Sequence, residues 1–335
     1  MEYHKGKPLR HMGDIPSMGA HRYSDKTAFV FMGQEMSYNE LEAQANQVAN
    51  MLVDNGVEPG DRVGLFIPNT LQFPPSYFGT IKAGAVPIPL NLRMDPETLV
   101  FVLNDSNADH LIGSPFLADE VRNLKDAAGV GTLFLPGVSD EEEGIVNYSH
   151  ATMEASDEFD TVERNFDDVA VQPYTSGTTG RPKGVLLTHE NLLSTLESYG
   201  KGAIGVDGDD SILLVLPLFH IYGLNALMGS YLMRGASMIL QAEPDPVNML
   251  EAIDEHNITK FAGVPAMYNM MFREYRNNPD EYDLSSLEDV TCAASPLAED
   301  TRRKIEEAWN VPVVEGWGMT ETSPAGTLEP SRGVR

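Results

Sequence analysis

A chain of 335 residues, 42% of them apolar, is long enough for two α/β halves around a full core. Fifty Asp and Glu against 23 Lys and Arg give a formal charge of −27, which repels phosphate backbones and anionic lipids and argues against nucleic acid or membrane surfaces as partners. Cys292 is the single cysteine, which excludes an internal disulfide and a multi-cysteine zinc site.

Taken in chain order, the N-terminus from Met1 to Asp14 carries charges and no apolar core, so no signal peptide is visible and a cytoplasmic protein is expected. Ser37 with Glu40 reads as a capping box, and Leu41, Ala45, Val48 and Leu52 then recur at helical spacing until Gly56. Val63–Ile67 is a continuous apolar run, the mark of a strand buried on both faces. The rhythm continues with helices near Leu71–Ala83, Pro96–Asn104 and Ala118–Ala127, and strands at Ala85–Pro89, His110–Gly113 and Thr132–Leu135. Ser139 to Asp168 is polar and acidic, with weak periodicity, and reads as a join between halves. The second half repeats the pattern. Strands are expected at Ile212–Leu216, Ser237–Gln241, Thr259–Gly263, Val290–Ala293 and Val311–Val314. Between them lie a helix opened by Asp245 and Pro246, one near Ala266–Asn277 and one near Ala298–Trp309. Such alternation implies an α/β fold of two doubly wound halves with parallel sheets, residues 1–168 and 169–335. Ser211–Met233 is uncharged and long enough to span a bilayer, but Pro217, His220, Asn225 and two glycines interrupt it. A strand, loop and helix fit it better. Only nine of the cations are Lys, and acids cluster at Asp140–Glu143, Asp157–Asp160 and Asp207–Asp210, a pattern similar to proteins of salt-loving cytoplasm.

Tyr174–Val185, YTSGTTGRPKGV, follows a predicted strand at Val169–Val171 and carries the chemistry. Its glycines let backbone N–H groups turn toward a ligand, its hydroxyls add donors, and Lys183 adds a full charge, so it reads as a phosphate cradle. A flexible Gly/Ser/Thr linker is the plain alternative, but linkers rarely sit between a buried strand and a following helix. It departs from the ordinary P-loop, since Pro182 precedes Lys183 and Gly184 follows it. Two other matches fail. Gly200, Gly202 and Gly205 spell G-x-G-x-x-G but follow a helix and precede acids, and His189-Glu190 begins a zinc-protease pattern in which Leu193 replaces the second histidine.

Over all 12 positions YTSGTTGRPKGV resembles the signature loop of the adenylate-forming superfamily, which includes acyl-CoA synthetases, luciferases and nonribosomal adenylation domains. LPLFHIYGL (216–224), GVPAMY (263–268), CAASPL (292–297) and GWGMTET (316–322) resemble its further motifs in the expected order, with Ala293 where glycine is usual. The resemblance is closest to acyl-CoA synthetases and implies most of the large N-terminal domain of such an enzyme. It implies AMP-forming ligation of a carboxylic acid, of fatty-acyl type, to coenzyme A, with ATP and Mg²⁺. By the same resemblance Ser176, Thr178, Thr179 and Lys183 hold the β- and γ-phosphates, with Thr175, Gly177 and Gly180 in the same nucleotide loop. Ala294, Ser295 and Pro296 run along the adenine, while Gly316, Trp317, Gly318 and Met319 hold it, Trp317 as the aromatic ring. Thr320 bonds the α-phosphate and Glu321 binds Mg²⁺. His220, Tyr222, Gly223, Gly263, Val264 and Gly316 line the acid pocket. The chain stops soon after GWGMTET and holds no TGD tripeptide, so the β-barrel subdomain and C-terminal domain are expected to be missing and adenylation by this polypeptide to be weak or absent. The amino-acid-activating alternative usually places an Asp in the pocket segment, where Leu218-Phe219-His220 offers none; a remnant that binds nucleotide without turnover is the non-catalytic alternative.

Overall fold

A computed structural model describes residues 3–4, 7–139, 143–175, 180–200 and 205–329. The chain divides into two compact units. Unit 1 comprises 1–26, 37–193 and 218–220; unit 2 comprises 27–36, 194–217 and 221–335.

Unit 1 is built on a five-stranded parallel sheet in the order Val86–Pro89, Arg62–Phe66, Ala108–Gly113, Thr132–Leu135, Ile145–Asn147. Numbered along the chain this is 2-1-3-4-5, a doubly wound order. Helix Tyr38–Asp54 starts where the sequence places it. Ser37 Oγ accepts the Glu40 N–H at 3.2 Å and Glu40 Oε2 accepts the Ser37 N–H at 2.7 Å, while Leu41, Ala45, Val48 and Leu52 are buried. It packs on helix Phe73–Lys82, where a Cβ at Gly79 would stand 2.6 Å from Val48. Helices Pro96–Ser106 and Ala118–Ala128 close a core with Phe66, Ile88, Leu111, Leu133 and Leu135.

Unit 2 holds an eight-stranded sheet in the order Thr327–Leu328, Val313–Trp317, Asp289–Cys292, Lys260–Gly263, Ser211–Leu214, Ser237–Leu240, Thr27–Phe31, Gln34–Ser37. Its five central parallel strands again run 2-1-3-4-5 in chain order. Asp245 caps helix Pro246–Glu255 as read, its Oδ1 accepting the Asn248 N–H at 3.0 Å. Ser211–Met233 resolves into strand Ser211–Leu214 and helical turns from Tyr222, and no helix among the described residues is long and apolar enough to cross a membrane.

The structure differs from the sequence reading in three places. Thr27–Phe31, which showed no clear alternation, lies parallel to Ser237–Leu240 with Ser237 Oγ donating to the Thr27 carbonyl at 2.7 Å, a pairing across some 210 residues. The stretch read as a join contains strand Ile145–Asn147 and helix Tyr148–Glu154, whose cap is Asn147 accepting the His150 N–H at 3.2 Å. The unit limits also depart from a cut at 168/169. Strand Val169–Val171 pairs with Leu187–Thr188, and the Gln172 N–H donates to the Pro87 carbonyl at 3.1 Å, so the phosphate-loop segment belongs to unit 1.

His189, which opens helix His189–Ser198, is buried against His11 with ring centroids 4.1 Å apart. Both rings are acceptors, His189 Nδ1 from the Met12 N–H at 3.0 Å and His11 Nδ1 from the Gly13 N–H at 3.1 Å. Burial, then Lys82 and Arg164, lowers the His11 pKa to about 4; burial, then His11 and Arg164, lowers His189 to about 3, with Asp168 opposing both shifts and Asp14 opposing that of His189. The native pair is therefore neutral, and its stabilisation is complete above pH 6.5, where the unfolded imidazole is neutral too. As pH falls toward about 4 the unfolded chain binds protons first, and stability drops by up to about 1.4 kcal/mol per pH unit per imidazole. Urea midpoints measured at pH 7.5 and 5.0 are expected to show this loss. His189→Asn is expected to flatten it, and an unchanged slope in the variant counts against the neutral pair as its source.

Candidate functional site

In unit 2, the site residues stand at the carboxyl ends of adjacent strands. The register pairs Gly263 with Cys292 and Cys292 with Glu315, so the segments leaving strands Lys260–Gly263, Asp289–Cys292 and Val313–Trp317 start side by side. In open parallel sheets this edge is where ligands bind. Val264 caps helix Pro265–Asn277, and the Ala293 N–H donates to the Gly263 carbonyl at 3.2 Å. The turn at 292–297 is tied to the next strand by the Leu297 N–H, which donates to Glu315 Oε1 at 3.1 Å. Ala294 has φ +70°, whereas Ala293 is not among the positive-φ residues, so alanine in place of the usual glycine at 293 strains nothing. Ser295 and Pro296 follow as exposed residues.

Gly316–Thr322 forms a folded-back loop. Trp317 pairs with Thr327, the Gly326 N–H donates to the Trp317 carbonyl at 3.0 Å, and a Cβ at Gly326 would stand 2.6 Å from the indole. Gly326 thus backs the ring, which stays 60% exposed, while Trp309 is the buried tryptophan. Trp317 is therefore not a core ring. A Cβ on Gly318 would overlap the Pro324 carbonyl oxygen, and one on Gly316 would lie 2.8 Å from Leu328. The Met319 N–H donates to Thr322 Oγ1 at 3.1 Å, closing a turn over Thr320–Thr322 that presents Glu321 as an exposed carboxylate. Asn225 Nδ2 donates to the Ser323 carbonyl at 2.7 Å in a buried bond.

Tyr222 and Gly223 begin a π-helical stretch, Tyr222–Gly229, of the kind often found at functional sites. A Cβ on Gly223 would lie 2.6 Å from the Pro217 carbonyl, so only glycine lets this helix approach its own strand exit. The Tyr222 hydroxyl lies 3.3 Å from that of Tyr199, and burial pushes its pKa up to about 12, which keeps it protonated. A Cβ on Gly263 would meet Phe261 at 3.1 Å and Tyr268 at 3.2 Å.

Unit 1 holds the other motif residues. Tyr174–Thr175 and Lys183–Gly184 form an antiparallel hairpin in which Thr175 faces Lys183. Ser176, Gly177, Thr178 and Thr179 lie outside the described residues. Gly180 has φ +94° and Lys183 is exposed. The hairpin is fixed on both limbs to helix Pro96–Ser106: Tyr174 Oη donates to Asp105 at 2.7 Å, and the Arg181 guanidinium stands 5.2 Å from the Phe101 ring. Gln172 Nε2 donates to Tyr174 Oη at 3.2 Å, and a Cβ on Gly184 would collide with Gln172. His220 has an exposed edge, yet burial lowers its imidazole pKa, so it is neutral at pH 7. The Leu218 N–H donates to buried Asn69 at 2.8 Å, which holds the segment leading to it.

The sequence profile of the AMP-binding enzymes matches residues 18–334. The chain belongs to the AMP-binding enzyme family. It is similar to the long-chain-fatty-acid–CoA ligase of Bacillus subtilis (strain 168), 29% identical over 343 residues that cover 95% of this chain and 61% of that protein. Long-chain-fatty-acid–CoA ligase FadD13 of Mycobacterium tuberculosis is 33% identical over 298 residues, covering 88% and 56%. The inhibitor-bound N-terminal domain of FACL13 from Mycobacterium tuberculosis superposes with a TM-score of 0.86 at 30% identity, covering 96% of this chain and 79% of that one. The chain thus spans 56% to 61% of the length of these two curated relatives.

Within this AMP-binding fold, the residues that sequence reasoning missed act behind the motifs: Asn69, Asp105, Gln172 and Asn225. Single polar residues in apolar surroundings are visible in sequence, but their partners are not. Gly318→Ala is expected to push Pro324 aside at a cost of roughly 1–3 kcal/mol, and Ala294→Gly to relieve left-handed strain of up to about 1 kcal/mol. Thermal unfolding of both variants beside wild type checks these opposite signs.

Proposed function

We propose that the chain carries the nucleotide- and acid-binding part of an AMP-forming carboxylic acid–CoA ligase of fatty-acyl type. The alignment of Gly263, Ala293 and Gly316 along one sheet edge supports this most directly, because it brings the beginnings of three motif segments together.

The substrate carboxylate is already ionised near neutrality, so its attack on the α-phosphorus of ATP, which forms the acyl-adenylate and expels pyrophosphate, needs no general base. It needs positioning and charge neutralisation. Lys183, with Ser176, Thr178 and Thr179, and with Thr175, Gly177 and Gly180 shaping the loop, holds the phosphate tail. Ala294, Ser295 and Pro296 flank adenine, and Trp317 supplies an exposed aromatic face backed by Gly326. Gly316, Gly318 and Met319 shape the loop around it, and Thr320 donates to the α-phosphate. Neutral His220 donates an N–H to the substrate carboxylate without adding charge, and Tyr222, Gly223, Gly263, Val264 and Gly316 line the acid pocket. Among the described residues no three His, Cys, Asp or Glu side chains converge on a metal position. Mg²⁺ takes one or two protein carboxylates and fills its other positions with phosphate oxygens and water. Glu321 is that carboxylate, and Mg²⁺ supplies neutralisation of the phosphate charge. The acyl-adenylate then passes its acyl group to the thiol of coenzyme A, releasing AMP.

The charge of −27 makes nucleic acid a poor partner and suits a salt-rich cytoplasm. The melting temperature is expected to rise between 0.2 and 2 M KCl; a flat or falling curve removes the salt-adapted reading.

ATP affinity measured by calorimetry tests the central assignment. Lys183→Ala is expected to weaken ATP binding at least about tenfold through the lost charge-assisted phosphate contact. Equal affinity in the variant sinks the assignment, and ATP–pyrophosphate exchange measured on the same protein reports whether binding leads to adenylation.

A further inference from the structure

Asn225 lies on the π-helical stretch Tyr222–Gly229, three residues beyond Tyr222, and its side chain is buried. Its Nδ2 donates to the carbonyl of Ser323 at 2.7 Å, across 98 residues of sequence. Ser323 ends the Thr320–Thr322 turn in a left-handed conformation, φ +66°, and is itself buried. The turn has bonds of its own, from the Met319 N–H to Thr322 Oγ1 at 3.1 Å and from Thr322 Oγ1 to the Met319 and Pro324 carbonyls at 2.9 and 3.1 Å. These hold its shape. The pairing of Trp317 with Thr327 anchors its base, and the Asn225 bond ties its far end to another element.

That element is the π-helical stretch Tyr222–Gly229. A π turn is one residue wider than an α turn and tightens by returning to i→i+4 bonding. Its first turn holds Tyr222 and Gly223, and Gly223 is pressed on the Leu216 and Pro217 carbonyls with no room for a Cβ. A shift at this end moves Asn225 with the helix. Resting on the acid-pocket reading above, we propose that Asn225 is a positioning residue that couples the acid-binding helix to the nucleotide loop. By holding the Ser323 carbonyl it makes filling of the acid pocket set the position of Thr320 and Glu321. Acid and nucleotide then bind with positive linkage, each tightening the other by the same factor.

The test measures AMP affinity of the 335-residue chain by calorimetry, with and without saturating dodecanoate. Wild type is expected to bind AMP about fivefold more tightly when dodecanoate is present. Asn225→Leu keeps the branched shape and removes the donor. It is expected to weaken AMP binding about five- to tenfold, as befits one lost buried hydrogen bond, and to abolish the dodecanoate effect. Acrylamide quenching of the exposed Trp317 is expected to respond to dodecanoate in wild type and not in the variant. Asn225→Ala, which likewise lacks a donor, is the second variant should leucine not fold, with the same loss expected. Either variant retaining the full dodecanoate effect, or wild type binding both ligands with no mutual effect, overturns the coupling and leaves the nucleotide assignment standing. A folded wild type that binds no AMP instead sinks that assignment itself.

Discussion

The parallel register that pairs Gly263 with Cys292 and Cys292 with Glu315 sets where each ligand-facing segment of unit 2 begins. A slip of one residue turns every side chain to the opposite face of a sheet, and it would also misalign Ala293, Gly316 and the turn held by Glu315. The opposite ends of these strands are clamped electrostatically. Buried Lys260 lies 2.7 Å from Asp289, 3.2 Å from Glu288 and 3.8 Å from Asp210. Burial alone would lower the Lys260 pKa, but the three carboxylates outweigh it and hold the ammonium charged. Arg302 adds a second tie nearer the site, donating to the Val313 carbonyl at 2.8 Å and standing 2.9 Å from Glu329. One end of the sheet is thus fixed by charge and the other is free to be shaped by loops.

Both units use the same 2-1-3-4-5 strand order, although no sequence repeat relates them. The resemblance is one of topology: a right-handed crossover repeated on a twisted parallel sheet has few other solutions. What distinguishes the units is the backbone at the carboxyl ends. In unit 2, Gly223, Gly316 and Gly318 stand where a Cβ would strike a carbonyl or a packed side chain, so chain passes against chain. In unit 1, the hairpin of Tyr174–Thr175 and Lys183–Gly184 is held by side chains instead, through Tyr174 on Asp105 and Arg181 over Phe101.

Much of this organisation is legible before any coordinates. The Ser37–Glu40 capping box, the Asp245 cap, the continuous apolar strands and the polar breaks between them depend on neighbours within a few residues, and local sequence reports those well. The motif segments are legible for a related reason. Short runs such as YTSGTTGRPKGV carry particular small, hydroxylated and charged residues at fixed spacing, and that pattern is written in the chain itself.

Tertiary structure decided the rest. Thr27–Phe31 joins the sheet of unit 2 because strand Ser237–Leu240 offers it an open edge, and nothing near residue 27 encodes that partner. Tyr174 reads as a motif residue, but its tether to Asp105 spans 69 residues; Asn225 reads as a break in an apolar run, but it holds Ser323. The left-handed backbone falls on Ala294 rather than on the alanine one position earlier. Sequence by itself determined the local motifs and caps, because their chemistry depends on near neighbours; only folding determined what holds those segments, because hydrogen-bond partners and strand edges are chosen in space.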